Sequence, residues 1–168
     1  LTAHLLDLHL VLVDAGVFPA AGAGVEPLRL VQLVAALNTG RDLAGARLSQ
    51  ATAFTILVRV PVAQAARLGE YRAAGAHAAV LPPIYEPAVF RTAMREAGDA
   101  GLPIIAELLL LPDAATADEL DNELPSLSVP DRLKQRLVLD PAEDLRGVQR
   151  FLAHWRDRLA GVTLLLPD

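Results

Sequence analysis

A chain of 168 residues with a formal net charge of −5 and no basic run offers no surface for nucleic acid, and it is long enough for one domain with a substantial core. The absence of cysteine excludes disulfides and thiolate metal sites and fits a cytoplasmic protein. At 53% hydrophobic but only 4% aromatic, the chain must build helices and aliphatic strands from Ala and Leu. The histidines at 4, 9, 77 and 154 show no ligand spacing, so no metal is expected. The longest apolar run, Leu102–Pro112, is about half of the ~20 residues a membrane helix needs, so neither a membrane span nor a signal peptide is expected.

Leu5–Val13 is a dense aliphatic run, the pattern of a strand buried on both faces. Gly16 to Gly24 reads as a flexible loop. Glu26-Pro27 opens a helix with a broad apolar face from Leu28 to Leu37, and Asn38 and Gly40 end it. Arg41–Gln50 is a polar connection, and Ala53–Val60 is the second strand, closed by Pro61. A helix over Val62–Ala74 ends at Gly75, and His77–Leu81 is a short third strand stopped by Pro82-Pro83. Pro87–Ala97 is helical, broken by Gly98 and Gly101, and Pro103–Leu109 is the fourth strand. Asp113 caps a helix around 114–124 that Pro125 stops, and Pro130-Asp131 starts another over 131–138. Asp140-Pro141 begins a last helix, 142–159, with Val148, Phe151, Leu152, Trp155 and Leu159 along one face. Gly161 caps it, and Val162–Leu166 is a fifth strand.

Strand and helix alternate through one domain, residues 1–168, with no linker, tandem repeat or low-complexity tract. This is an α/β chain of parallel β/α units. Two architectures fit the pattern: an open doubly wound sheet, or part of a (β/α)8 TIM barrel, which takes about 250 residues when complete. The chain starts with Leu rather than Met and almost inside a strand, which implies the carboxy-terminal part of a longer parent polypeptide.

There is no G-x-G-x-x-G, no phosphate-binding G-x-x-x-x-G-K-[ST], no G-x-S-x-G and no H-E-x-x-H. In parallel α/β folds ligands sit beyond the carboxyl ends of the strands. That rule selects Asp14, Arg59, Glu86, Glu107 and, after the fifth strand, Asp168. Asp14 suits a ligand site or a solvated loop, and Glu86 suits a cap on the helix at Pro87. Arg59 and Glu107 stand in aliphatic strands, where a charge is costly unless paired or solvated. They either bridge to each other or hold a ligand. His77 reads as a polar edge residue. Trp155 reads as core, because it shares a helical face with Phe151 and Leu152.

Helix rules alone do not account for Asn122-Glu123-Leu124-Pro125 followed by Val129-Pro130. The segment resembles the "N-E-x-P-G-x-x-[IV]-P" stretch of the flavin-dependent methylenetetrahydrofolate reductase family, which follows a strand "P-I-I-A-G" late in a (β/α)8 barrel. Here that strand reads Pro103-Ile104-Ile105-Ala106-Glu107. Leu37–Gly45 resembles the family's "L-N-x-G-x-D-x-x-G", Phe54-Thr55-Ile56 the start of its "F-x-I-G", and Ala74-Gly75-Ala76 its "A-G-A". Pro83-Ile84-Tyr85-Glu86-Pro87 is similar to its "T-Q-P-x-[FY]-D", and Gly161–Leu166 to its last strand.

The resemblance implies that these are the last five strands of eight. It implies a folate substrate, FAD and NAD(P)H, and reduction of 5,10-methylenetetrahydrofolate to 5-methyltetrahydrofolate. Asp14 stands at the place of the family's "G-D-P-P" aspartate and takes the catalytic role. Arg59, Glu86 and Glu107 are the substrate-binding candidates. Departures cluster at the chemistry. Leu57 and Glu107 replace glycines, Pro82 replaces the folate-binding Gln, and Tyr71 replaces a Lys. Glycine lets a flat ring lie against the backbone, so Leu57 and Glu107 are expected to fill part of the flavin slot. Two functions remain in view: a reductase, or a non-catalytic subunit or pseudoenzyme whose open barrel a partner chain or second copy completes.

Overall fold

The computed structural model describes residues 9–16, 25–124 and 127–167. The aliphatic runs form five strands: β1 (Leu10–Asp14), β2 (Thr55–Arg59), β3 (Ala78–Leu81), β4 (Ile104–Leu109) and β5 (Gly161–Leu165). All are parallel and hydrogen-bonded in chain order, β1-β2-β3-β4-β5. The helices are α1 (Pro27–Asn38), α2 (Leu68–Ala74), α3 (Pro87–Ala100), α4 (Ala114–Glu123), α5 (Asp131–Leu139) and α6 (Glu143–Trp155).

Strand order decides between the two architectures. A doubly wound sheet reverses its order part way, so helices cover both faces. This order never reverses. Alternate residues Ile56, Val58 and Val60 face a core completed by Val31 of α1, Leu68 and Tyr71 of α2, Phe90 of α3 and Trp155 of α6. The opposite face carries a separate cluster of Leu57, Ala78 and Val80, with Ile105 packed against it and no helix residue. The sheet is therefore a singly wound arc of β/α units, of the kind that closes into a barrel, and the doubly wound reading is excluded.

The turn after α1 explains Leu37–Gly45. Asn38 Nδ2 donates to the Phe54 carbonyl at 2.8 Å, while Asn38 Oδ1 accepts from Thr52 Oγ1 at 2.7 Å and Phe54 N at 2.8 Å. One side chain thus fixes the end of α1 to the entry of β2. Gly75 ends α2 at φ +111°, and a Cβ there would lie 2.7 Å from Ala35 Cβ, so glycine lets α2 close against α1. Both features lie at the amino ends of the strands.

Several boundaries differ from expectation. Val62–Arg67 is a 3-10 segment before α2. The α3 helix runs through Gly98, since one glycine is tolerated inside a helix, and stops where Gly101 turns left-handed at φ +66°. The α6 helix ends at Trp155, a 3-10 turn covers Arg156–Arg158, and Gly161 opens β5 instead of capping the helix. The expected strand start at 5–8, most of the glycine-rich loop, Pro125 and Asp168 lie outside the described residues.

After β4, α4 and α5 pack as a pair on Leu109, Leu111, Ala117, Val129, Leu133 and Leu137. Asp113 Oδ1 caps α4 by accepting from Thr116 N at 2.8 Å. Asp121 pins the pair: Oδ1 accepts from Val129 N at 2.9 Å and Oδ2 from Lys134 Nζ at 2.7 Å. The end of α4 is thus tied to the entry and first turn of α5.

Replacing Asn38 with Ala strands both polar groups of Phe54 in a part-buried setting and should lower stability by about 2–3 kcal/mol in urea denaturation. Thr52→Val removes one partner only and should cost about 1 kcal/mol.

Candidate functional site

Parallel strands bring all their carboxyl ends to one end of the sheet. Asp14 and Arg59 are Cα partners across β1 and β2, so they share a face, and it is the face without helices that also carries Leu57. Arg59 aligns with Val80, and Val80 with Ile105; Glu107 lies one pleat further along β4 on that same face. The fold therefore brings Asp14, Arg59 and Glu107 together. Arg59 Nε donates to Glu107 Oε2 at 2.9 Å, and Arg59 Nη2 donates to the same oxygen. The pair reaches over β3, a span of roughly 10 Å between strands two apart. Glu107 is only 7% exposed, so the bridge supplies the pairing that a desolvated charge requires. Of the two roles open to these residues in the sequence, the bridge forms. Asp14 is half-buried, and its Oδ1 accepts from Gly16 N at 2.8 Å, which shapes the turn leaving β1.

Glu86 is exposed at the N-cap position of α3. Its carbonyl accepts from Val89 N and Phe90 N, but its side chain makes no capping bond, contrary to expectation. Pro87 at the first helical position already supplies a residue with no N–H to satisfy. His77 Nδ1 accepts from Ile56 N at 2.9 Å, so this histidine secures the start of β2 at the end away from the candidate site. Trp155 is core.

Two polar residues, the half-buried Tyr85 and the buried Asp144, escaped the sequence reading. Tyr85 donates its hydroxyl to the Leu109 carbonyl at 3.0 Å, and Asp144 Oδ2 accepts from Leu111 N at 2.8 Å. Together they fasten the β3–α3 loop and the start of α6 to the chain leaving β4. Burial raises the Asp144 carboxyl above its usual range, and it raises the Tyr85 phenol strongly, with the Asp144 charge adding to the effect. The signal for Tyr85 lay in Pro83–Pro87, but Asp144 looked like an ordinary acid in a first helical turn.

A flavin laid along β2 and β4 would meet side chains at both positions where the reductase motifs carry glycine. Leu57 is buried at one glycine position, and Glu107 occupies the other with Arg59 attached. Pro82 is buried and carries no amide, and Tyr71, in place of a Lys, lies wholly inside the helix-side core. The described residues do not fit a flavin held in that way. Among them, no group of three His, Asp or Glu could hold a metal ion, and no helix is long and apolar enough to cross a membrane. No protein-family model matches the chain, and no curated protein matches it.

Arg59→Ala leaves Glu107 buried without its partner and should cost about 3–5 kcal/mol in chemical denaturation. Arg59→Met combined with Glu107→Leu should recover most of that loss. Both tyrosines of the chain, Tyr71 and Tyr85, are raised above 10.0 by burial. A folded pKa above the unfolded one gives stability that is complete below the unfolded value and lost as pH climbs past it. The folded protein should therefore show no phenolate absorbance at pH values just above 10.0, and the signal should appear together with loss of circular dichroism.

Proposed function

We propose that this chain is a methylenetetrahydrofolate reductase-like protein of one-carbon metabolism, reducing 5,10-methylenetetrahydrofolate to 5-methyltetrahydrofolate with NAD(P)H as the hydride source. The supporting observation is the grouping of Asp14, Arg59 and Glu107 at the carboxyl end of a singly wound parallel sheet, where β/α barrels carry their chemistry. Asp14 is the catalytic candidate, an anionic partner beside the folate ring. Arg59 and Glu107 reach a substrate only when their bridge opens, and Glu86 stands by in the loop above β3. FAD is the hydride carrier that the resemblance implies, but Leu57 and Glu107 argue against its usual seat, so no step is routed through it. A cytoplasmic location goes with this reading.

A second reading has its own support. The Arg59–Glu107 bridge and Leu57 fill the helix-free face, while Leu10 and Leu12 on that face of β1, and Val162 and Leu164 on β5, stay exposed. A non-catalytic subunit covered by a partner chain or a second copy would bury those residues.

Purified protein given 5,10-methylenetetrahydrofolate should oxidise NAD(P)H, followed by absorbance with and without added FAD. Asp14→Asn should lower kcat/KM by about 100-fold or more. No folate-dependent oxidation, together with a light-scattering mass above that of one chain, would favour the non-catalytic subunit. An inactive protein that stays monomeric and dispersed would count against both readings.

A further inference from the structure

On the helix-covered side of the sheet, a cleft of about 500 Å³ opens between α3 and α6 under Arg136 of α5. That volume falls in the range of small-molecule sites. It shares Glu107 with the Asp14 grouping, but its walls are otherwise different. The floor is aromatic in a chain with few aromatic residues. Phe90 meets Phe151 edge-on with centroids 4.8 Å apart, and Phe90 meets Trp155 at 5.0 Å. The rim is cationic in a chain of net charge −5: Arg91, Arg136 and Arg150 all line it.

The lining holds three guanidiniums, Arg91, Arg136 and Arg150, and three carboxylates, Glu107, Glu143 and Asp144, of which Glu107 is already neutralised by Arg59 outside the cleft. Arg136 Nη1 and Arg150 Nη2 both bond Glu143 Oε1, at 3.0 and 2.9 Å, and Arg146 bonds Glu143 Oε2 at 2.9 Å. Glu143 thus serves both lining arginines, Arg136 and Arg150, while Arg146, which also bonds Asp140 Oδ2 at 2.6 Å, lies outside the lining. Asp144 lines the cleft but is already engaged by Leu111 N, and Glu107 by Arg59. The Arg91 side chain makes no ion pair or hydrogen bond among the described residues.

A second feature keeps the cleft open. Gly147 sits inside α6, where glycine is the poorest residue after proline. Its backbone is not left-handed, and a Cβ there would meet nothing nearer than Arg150 Nη2 at 4.0 Å. Neither backbone geometry nor packing calls for glycine at this position. A side chain here would enter the cleft.

We propose that this cleft binds a small amphipathic anion: a flat apolar body on the Phe90–Phe151–Trp155 floor, with one sulfonate, carboxylate or phosphate between Arg91 and Arg150. The flat body replaces water on aromatic surface. The anionic head takes bidentate donors that Glu143 leaves over. The cleft shares Glu107 with the substrate candidates of the reductase reading, but Arg91, Arg150 and the aromatic floor play no part in that reading.

Trp155 is the only tryptophan in the chain, so its emission reports on the cleft alone. The probes are 8-anilinonaphthalene-1-sulfonate and N-phenyl-1-naphthylamine, which share a ring system and differ in the sulfonate. The sulfonate probe should quench Trp155 at a stoichiometry of one, with Kd on the order of 10–100 μM. Arg91→Ala with Arg150→Ala should weaken the sulfonate probe by about 10-fold or more and leave the amine unchanged. Both arginines are exposed, so the double variant keeps its fold. Gly147→Leu should block both probes while improving the intrinsic helix preference at that position. Sulfonate binding that is equal in all variants, or that leaves Trp155 emission untouched, would overturn the proposal in favour of adsorption elsewhere, such as the exposed face of β5.

Discussion

Adjacent parallel strands in chain order can be joined in only one practical way. Each crossover is right-handed, so each helix falls on the same side of the sheet as the one before it. This constraint organises the molecule. It gives one face a continuous cover of helices and a core running from Val31 to Trp155. It leaves the other face to the strands themselves, with only Leu57, Ala78, Val80 and Ile105 clustering there. Among the described residues no helix side chain joins the cluster on that second face. Arg59 and Glu107 pair with each other, across an intervening strand.

The two ends of the sheet carry different kinds of residue. At the amino ends, Asn38, His77 and Gly75 hold helix ends and strand starts in place, each through a contact to backbone or a close approach. At the carboxyl ends stand Asp14, Arg59, Glu107, Tyr85 and Asp144, with Glu107 and Asp144 buried. The motifs that resemble the folate reductases divide along the same line. Leu37–Gly45 and Ala74-Gly75-Ala76 fit the pattern and do structural work. Leu57, Pro82 and Glu107 depart from it and sit where a cofactor or substrate would lie. The residues that hold the backbone and the clustered charges occupy opposite ends of the same strands, so side chains at one end can change without disturbing the other.

Much of the fold was legible in the sequence, because aliphatic runs and helical periodicity repeat along the chain and proline and glycine punctuate them. All five strands stand where those runs fall, although the front of the first run lies beyond the described residues. The choice between barrel arc and doubly wound sheet was not legible, since it depends on which strands are neighbours and no local pattern encodes that. Gly98 misled because a lone glycine inside a helix looks the same in sequence as one that ends it; only φ at Gly101 separates them. In the site, the charges within aliphatic strands gave away Arg59 and Glu107. Asp144 was hidden because its partner is a backbone N–H 33 residues away, and an acid early in a helix normally faces water.

The Arg59–Glu107 bridge bears on function through its energetics. A desolvated ion pair adds little to stability compared with two well-packed apolar side chains, and breaking it from one side is costly. Leu57 and Val80 beneath it show that apolar packing suits this face. Stability alone therefore does not call for a charged pair at this position. A pair that can be opened is useful where a ligand carrying its own charges arrives, because the ligand can replace one partner for the other. In that case Glu107 would accept from a donor on the ligand and Arg59 would take an anion, each regaining what it gave up. A fixed lid over a silent face would have no use for that exchange, and hydrophobic residues would serve it better. The charged bridge thus answers to something other than stability on this face, and Leu57 and Glu107 oppose a flavin laid along β2 and β4.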